Sequence, residues 1–286
     1  MSVLLLTFGC RDDRFEEDQT LGGVRISKEV LNQGMGIYRR TCAGCHGVEG
    51  LGRRQVVRNE KPPRNLTSGY YKFTSVEGDG LPLDSDLNRI IRLGVRGTQM
   101  SGYPDLTTEE VSAVSHYIKT FSERWRNEEA GQPVPVRPDP WVGKRPAATA
   151  RGEAVYHAVA RCWTCHPSYL SENEIRTLVA RYSPEEPLRL RESLRQSYRT
   201  ETKYGMVLPP DFLSVTLPAA RGLDGLYRAI SAGIGGTPMP TWHERLSTSD
   251  IWALVHYVRE LVRLRGTPRA TLVRAGMLRF GSQVSE

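Results

Sequence analysis

Five cysteines stand in the 286-residue chain, at positions 10, 42, 45, 162 and 165, and four of them fall into two copies of one arrangement. Cys42-Ala43-Gly44-Cys45-His46 and Cys162-Trp163-Thr164-Cys165-His166 each set two thiols three positions apart and follow the second at once with an imidazole. Three chemistries use such a run: half of a zinc site, a redox dithiol, or covalent attachment of haem through two thioethers, with the histidine on the iron.

The rest of the chain separates these readings. A zinc site takes four ligands, usually from a second pair a short loop away, but these pairs lie 120 residues apart. A dithiol belongs at the start of a helix after a strand, in an alternating βα pattern that this sequence lacks. Haem attachment asks only for what each copy already holds. It makes Cys42, Cys45, Cys162 and Cys165 the attachment points, with His46 and His166 as iron ligands.

Helices must position these groups, and they too are repeated. "LTTEEVSAVSHYIKTF" (106–121) aligns without a gap on "LSTSDIWALVHYVREL" (246–261). In each, a Thr or Ser three residues ahead of Glu110 or Asp250 caps a helix. The apolar stripe runs Val111, Val114, Ile118, Phe121 in one and Ile251, Leu254, Val258, Leu261 in the other. Upstream, "LNRIIRLGVRGTQM" (87–100) aligns on "LYRAISAGIGGTPM" (226–239), a short helix stopped by Gly94 or Gly233 and a loop ending in Met100 or Met239. Ahead of each cysteine pair another amphipathic helix carries Gly34 and Tyr38, or Gly152 and Tyr156. The glycines allow a close crossing, predicted to be with the last helix of the same half. Strand signals are few, so the fold class is all-α.

Between the halves, "GQPVPVRPDPWVGKRP" (131–146) holds five prolines in sixteen residues and reads as an extended connector. The second half has a longer excursion between motif and methionine loop, 72 residues against 53. Capped helices are predicted there at Ser171 with Glu174 and at Ser183 with Glu186, forming a charged, solvated flap.

Apolar residues make up 39% and charged residues 25% of the chain, with a formal charge of +7. No run of eighteen apolar residues occurs, so no helix is expected to span a membrane. The basic residues are scattered among 32 acids, without the dense basic helix of a nucleic-acid groove, and no nucleic acid is expected as a partner. Arg53, Arg54, Arg58, Lys61 and Arg64, opposed only by Glu60, form one local basic cluster. The opening "MSVLLLTFGC" is similar to the end of a bacterial lipoprotein signal, which makes Cys10 a lipidation site and implies export.

With two CxxCH motifs, two "GTxM" loops and two "HY" helices, the chain resembles a tandem class I cytochrome c. The resemblance implies a first domain over 27–125 and a second over 150–264. Around them lie an export signal and polar segment (1–26), a proline-rich linker (126–149) and a tail (265–286). It implies two covalent haem c groups, with Met100 opposite His46 and Met239 opposite His166 as distal iron ligands. His243 is a weaker alternative to Met239, while His116 and His256 read as packed or surface residues. Pro62-Pro63 and Pro209-Pro210 sit where the family has a proline whose carbonyl accepts the proximal imidazole N–H.

The function implied is single-electron transfer in the periplasm, at the membrane face, through a lipid anchor and without enzymatic turnover. Partners would be redox proteins or a respiratory complex with an acidic docking surface. A catalytic dihaem protein such as a cytochrome c peroxidase, or a haem-bearing subunit of a larger complex, is the alternative.

Overall fold

The computed structural model describes residues 14–52, 62–202, 205–217 and 222–280; Cys10 and Arg53, Arg54, Arg58 and Lys61 lie outside these. The fold is all-α. Strands among the described residues form two short antiparallel hairpins, β1 (Gln19–Leu21) with β2 (Val24–Ile26) and β3 (Thr200–Thr202) with β4 (Gly205–Val207). Two compact units divide the chain. One takes the described residues up to Gly69 together with Asp105–Glu129; the other takes Tyr70–Pro104 with the described residues from Ala130 onward.

In the first unit, α1 (Lys28–Thr41) is capped by Ser27 and runs directly into the single turn α2 (Ala43–His46). The chain re-enters the unit through α4 (Thr108–Lys119), where Thr107 and Glu110 form the predicted capping box, and ends in α5 (Arg124–Asn127). The expected crossing is made: at Gly34 an added Cβ would lie 2.1 Å from the Ala113 carbonyl oxygen, so α1 meets the backbone of α4. Beside the crossing, the rings of Tyr38, Tyr117 and Phe121 pack mutually at 5.0–5.3 Å. Such aromatic clustering adds to the area buried.

The second unit repeats this pairing. There α6 (Arg145–Ala154) crosses α9 (Thr248–Leu264), and a Cβ at Gly152 would again lie 2.1 Å from a carbonyl, that of Ala253. Helix α6 continues into a π turn, Val155–Val159. The Ser171–Glu174 capping box starts α7 (Glu172–Tyr182), and α8 (Gly222–Ser231) packs on α9 with Tyr227 against Trp252 at 4.8 Å. This unit also contains α3 (Asp84–Leu93) from the first repeat. Its buried Asp86 accepts from the Ser75 backbone and hydroxyl, both at 2.8 Å, and pairs with Arg89 at 2.7 Å.

The connector is extended and fastened along its length. Gly131 N–H donates to the Leu81 carbonyl (2.8 Å) and Val134 N–H to that of Ser75 (2.7 Å). The Trp252 indole donates to the Arg137 carbonyl (2.9 Å), and His256 Nε2 sits 2.8 Å from the Asp139 carboxylate. His256 is thereby a packed residue.

The excursion differs from expectation. No helix starts at Ser183, where the chain makes a turn and then runs irregularly to β3. Arginines claim its carbonyls: Arg161 reaches from outside the segment to Glu186 (3.2 Å) and Pro187 (2.9 Å), and Arg191, within it, donates to Leu194 (3.2 Å) and Gln196. Arg191 also donates to Trp163 (2.7 Å) and His166 (2.6 Å), so the segment, largely exposed and charged as expected, is tied to the second motif. In the tail, α10 (Pro268–Arg274) precedes an irregular segment whose Arg279 (3.2 Å) and Phe280 N–H (3.1 Å) meet the buried Glu153 carboxylate.

Candidate functional site

Each CxxCH run is wound into one tight turn. In the first, the N–H groups of Cys45 (3.1 Å) and His46 (2.9 Å) both donate to the Cys42 carbonyl. In the second, Cys165 (3.2 Å) and His166 (2.9 Å) do the same to Cys162. Residues three apart on such a turn share a face, so each pair of thiols points the same way. The four thiols are unbridged. Burial raises the Cys42 thiol above its usual range and pushes Cys162 up to about 12.

The motif histidines are oriented alike. His46 Nδ1 lies 3.0 Å from the Arg64 carbonyl and His166 Nδ1 2.9 Å from the Pro210 carbonyl. A carbonyl only accepts, so Nδ1 carries the proton and Nε2 presents its lone pair. Burial lowers both imidazole pKa values, which keeps the rings neutral and able to ligate. Phe212 stacks on His166 at 4.9 Å and 21°. The acceptor in the second half is a proline of the predicted pair, but in the first half it is neither Pro62 nor Pro63. Pro63 turns its carbonyl toward Gly52, where a Cβ would lie only 2.5 Å away, and the next carbonyl reaches the imidazole.

A tyrosine holds each turn from behind. Tyr38 donates its hydroxyl to the Gly47 carbonyl (2.7 Å), and Tyr156 to that of Pro167 (2.8 Å), in each case the carbonyl just after the motif histidine. Three residues separate tyrosine from first cysteine in one copy and five in the other. The π turn, closed by Ala160 N–H on the Val155 carbonyl (2.8 Å), and Arg161 at φ 48° absorb the difference.

The methionine loops are built by one rule. Thr98 donates its hydroxyl to the Val95 carbonyl (2.7 Å) and accepts from Met100 N–H (3.1 Å). Thr237 bonds likewise to Ile234 (2.7 Å) and Met239 (3.2 Å). The loop folds back so closely that a Cβ at Gly94 would lie 2.4 Å from the Met100 carbonyl, and one at Gly233 2.8 Å from that of Met239. Both glycines also have positive φ, which side-chain-bearing residues avoid. Both methionines are half-buried. The sequence had marked the threonines only as part of a repeated "GTxM"; their hydroxyl bridge is what that repetition encodes.

His243, the weaker ligand candidate, has Nε2 on the Glu77 carboxylate. Arg64 of the basic cluster is described, and its carbonyl serves His46. In the second unit an unbridged thiol pair three residues apart, a neutral imidazole presenting Nε2 and a threonine-bridged methionine make a donor set whose chemistry suits covalently attached haem, and the first repeat's thiols and imidazole, within the first unit, have the same local geometry.

Comparison with known proteins gives the family of the chain. The family model described as cytochrome c oxidase, cbb3-type, subunit III matches the chain twice, at residues 29–118 and 147–258. Among solved structures, a chain of the Kuenenia stuttgartiensis reducing HAO-like protein complex is similar, with 30% identity and a TM-score of 0.62. The match covers 80% of this chain and 96% of that one. No curated protein matches.

Proposed function

Because the chain belongs to the cytochrome c family of the cbb3-type oxidase subunit III model, whose domains carry covalent haem c and transfer electrons, we propose that it is a dihaem carrier of single electrons. The observation that carries this reading is the repetition, in both halves, of a motif imidazole held by a backbone carbonyl and a methionine loop bridged by a threonine hydroxyl.

In each half the two motif cysteines, Cys42 with Cys45 and Cys162 with Cys165, would hold the porphyrin through thioethers. His46 and His166 would ligate through Nε2, and Met100 and Met239 through sulfur. Bound in this way, haem c supplies an iron that accepts and returns one electron.

The chain's own residues set how that happens. The Arg64 and Pro210 carbonyls fix the imidazole tautomer and raise its basicity. A soft methionine thioether held by its loop would favour the reduced state of the iron. On this reading the protein serves as a carrier and not as an enzyme.

The carrier works in the periplasm, held to the membrane by a lipid on Cys10. Its partner is a redox protein or complex with an acidic surface that meets the Arg53–Arg64 cluster. The likeness to a chain of a multi-protein redox complex, spanning nearly all of that chain, supports work within such an assembly.

Mass spectrometry of the denatured, natively expressed protein tests the reading. The expected mass is the chain plus two haems, falling to one haem when either cysteine pair is changed to serine. A mass without haem, or bound zinc, would overturn it.

A further inference from the structure

The two methionine loops are not held alike. Among the described residues of the second unit, the segment from Tyr71 to Asp79, which belongs to the first repeat, wraps the loop that carries Met239. Gly236 N–H donates to Asp79 Oδ1 (2.7 Å), and Gly78 N–H donates to the Ala232 carbonyl (3.0 Å). The Tyr71 carbonyl packs so tightly on Gly235 that a Cβ there would lie 2.2 Å from it. On the far side of Met239, His243 rests on Glu77. Gly235 and Gly236 are buried as a result.

The Met100 loop has a poorer counterpart. Extending the repeat alignment upstream without a gap sets Thr216 on Glu77 and Pro218 on Asp79, replacing both carboxylates. Gly97, the partner of Gly236, meets the Thr216 side chain, and Arg96–Gln99 are exposed. We infer that Glu77 and Asp79 are positioning residues for Met239, so that the first repeat holds the second iron's distal ligand in place while its own Met100 is released more readily. The inference rests on the reading of Met239 and Met100 as iron ligands.

The haem-loaded full chain provides the test, with imidazole as a competing ligand for ferric iron. The near-infrared band of methionine sulfur on ferric iron reports displacement. In a Met100→Ala background the band belongs to Met239 alone. There Asp79→Ala should raise the apparent imidazole affinity about tenfold, the effect of losing one amide-to-carboxylate hydrogen bond. Asp79→Asn keeps an acceptor oxygen and should restore the parent value, whereas Glu77→Gln should raise affinity about threefold.

In the converse Met239→Ala background, Met100 should yield at a lower imidazole concentration than Met239 does. If Asp79→Ala and Glu77→Gln both leave the affinity unchanged, or if Met100 proves the harder to displace, the inference is overturned. Should Asp79→Ala not load haem, the exposed Glu77→Gln variant decides the matter by the same criterion. A band that survives Met239→Ala and Met100→Ala together would instead overturn the ligand reading on which the inference rests.

Discussion

Helix crossing at Gly34 gives a prediction with its own internal control. An alanine there would place its Cβ 2.1 Å from the Ala113 oxygen, 2.7 Å from the Ala113 carbonyl carbon and 2.8 Å from Tyr117 Cβ. All three are well inside the ~3.5 Å of an ordinary contact. The obstacle is helix backbone, which cannot swing aside as a side-chain tip would, so α1 must retreat as a whole. Overpacking of this kind costs up to about 3 kcal/mol, against a gain of about 1 kcal/mol from alanine's better helix propensity. The net loss is about 2 kcal/mol, which lowers the melting temperature by about 4–8 °C.

Gly36 lies on the same helix, and its Cβ would meet only the Arg40 guanidinium tip, at 3.4 Å. Gly36→Ala should therefore be neutral or stabilising by up to about 1 kcal/mol. Gly152→Ala should behave as Gly34→Ala does, since Ala253 stands in the same place. Thermal unfolding of the three variants, followed by far-ultraviolet dichroism, is the assay. Gly34→Ala melting at or above the parent, or Gly36→Ala falling with it, would refute the crossing argument.

Three further outcomes are expected. Thr237→Val removes the hydroxyl that joins Ile234 to Met239; it should weaken the hold on that loop by about 1 kcal/mol and lower the second haem's potential in a redox titration. Arg279→Met leaves the buried Glu153 carboxylate without its guanidinium at 3.2 Å, a loss of about 2 kcal/mol in denaturant unfolding once the partial exposure of Arg279 is discounted. His157 is buried as the neutral ring, its pKa lowered by burial from 6.5 to about 3, so the unfolded chain binds the extra proton between these values. Stability is complete above pH 6.5 and falls toward pH 3 by up to about 1.4 kcal/mol per pH unit; His157→Gln should flatten that slope, and an unchanged slope would remove His157 as its source.

What the sequence disclosed was mostly local. A cap, a stripe and a stop lie within a few residues of one another, so Thr107 with Glu110 and Ser171 with Glu174 announced their helices, and Gly34 and Gly152 announced the crossings. The donor residues were legible for the same reason, since CxxCH is a single turn.

Signals failed where a distant group decided the outcome. Ser183 to Glu186 has the local look of a helix start, but Arg161 takes the carbonyls of Glu186 and Pro187, and carbonyls held by a guanidinium are lost to helix bonding. The choice of Arg64 over Pro63 rests on contact with Gly52, which no spacing rule contains. The grip of Asp79 on Gly236 joins residues 157 positions apart.

The π turn after α6 has a consequence for how such a chain can change. Adding one residue to an α-helix rotates everything beyond it by about 100°, and two added residues would aim the second cysteine pair at a different wall of the domain. Here the extra length is taken up by a single wider hydrogen-bonded ring, from Ala160 to Val155, and by one left-handed residue, Arg161. The tyrosine and the thiols on either side thus keep their partners. The helix therefore acts like a telescoping joint: its residue count can drift while the groups at its end stay in aim, and a one-residue deletion within Val155–Arg161 would be met by closing the ring and not by turning the site.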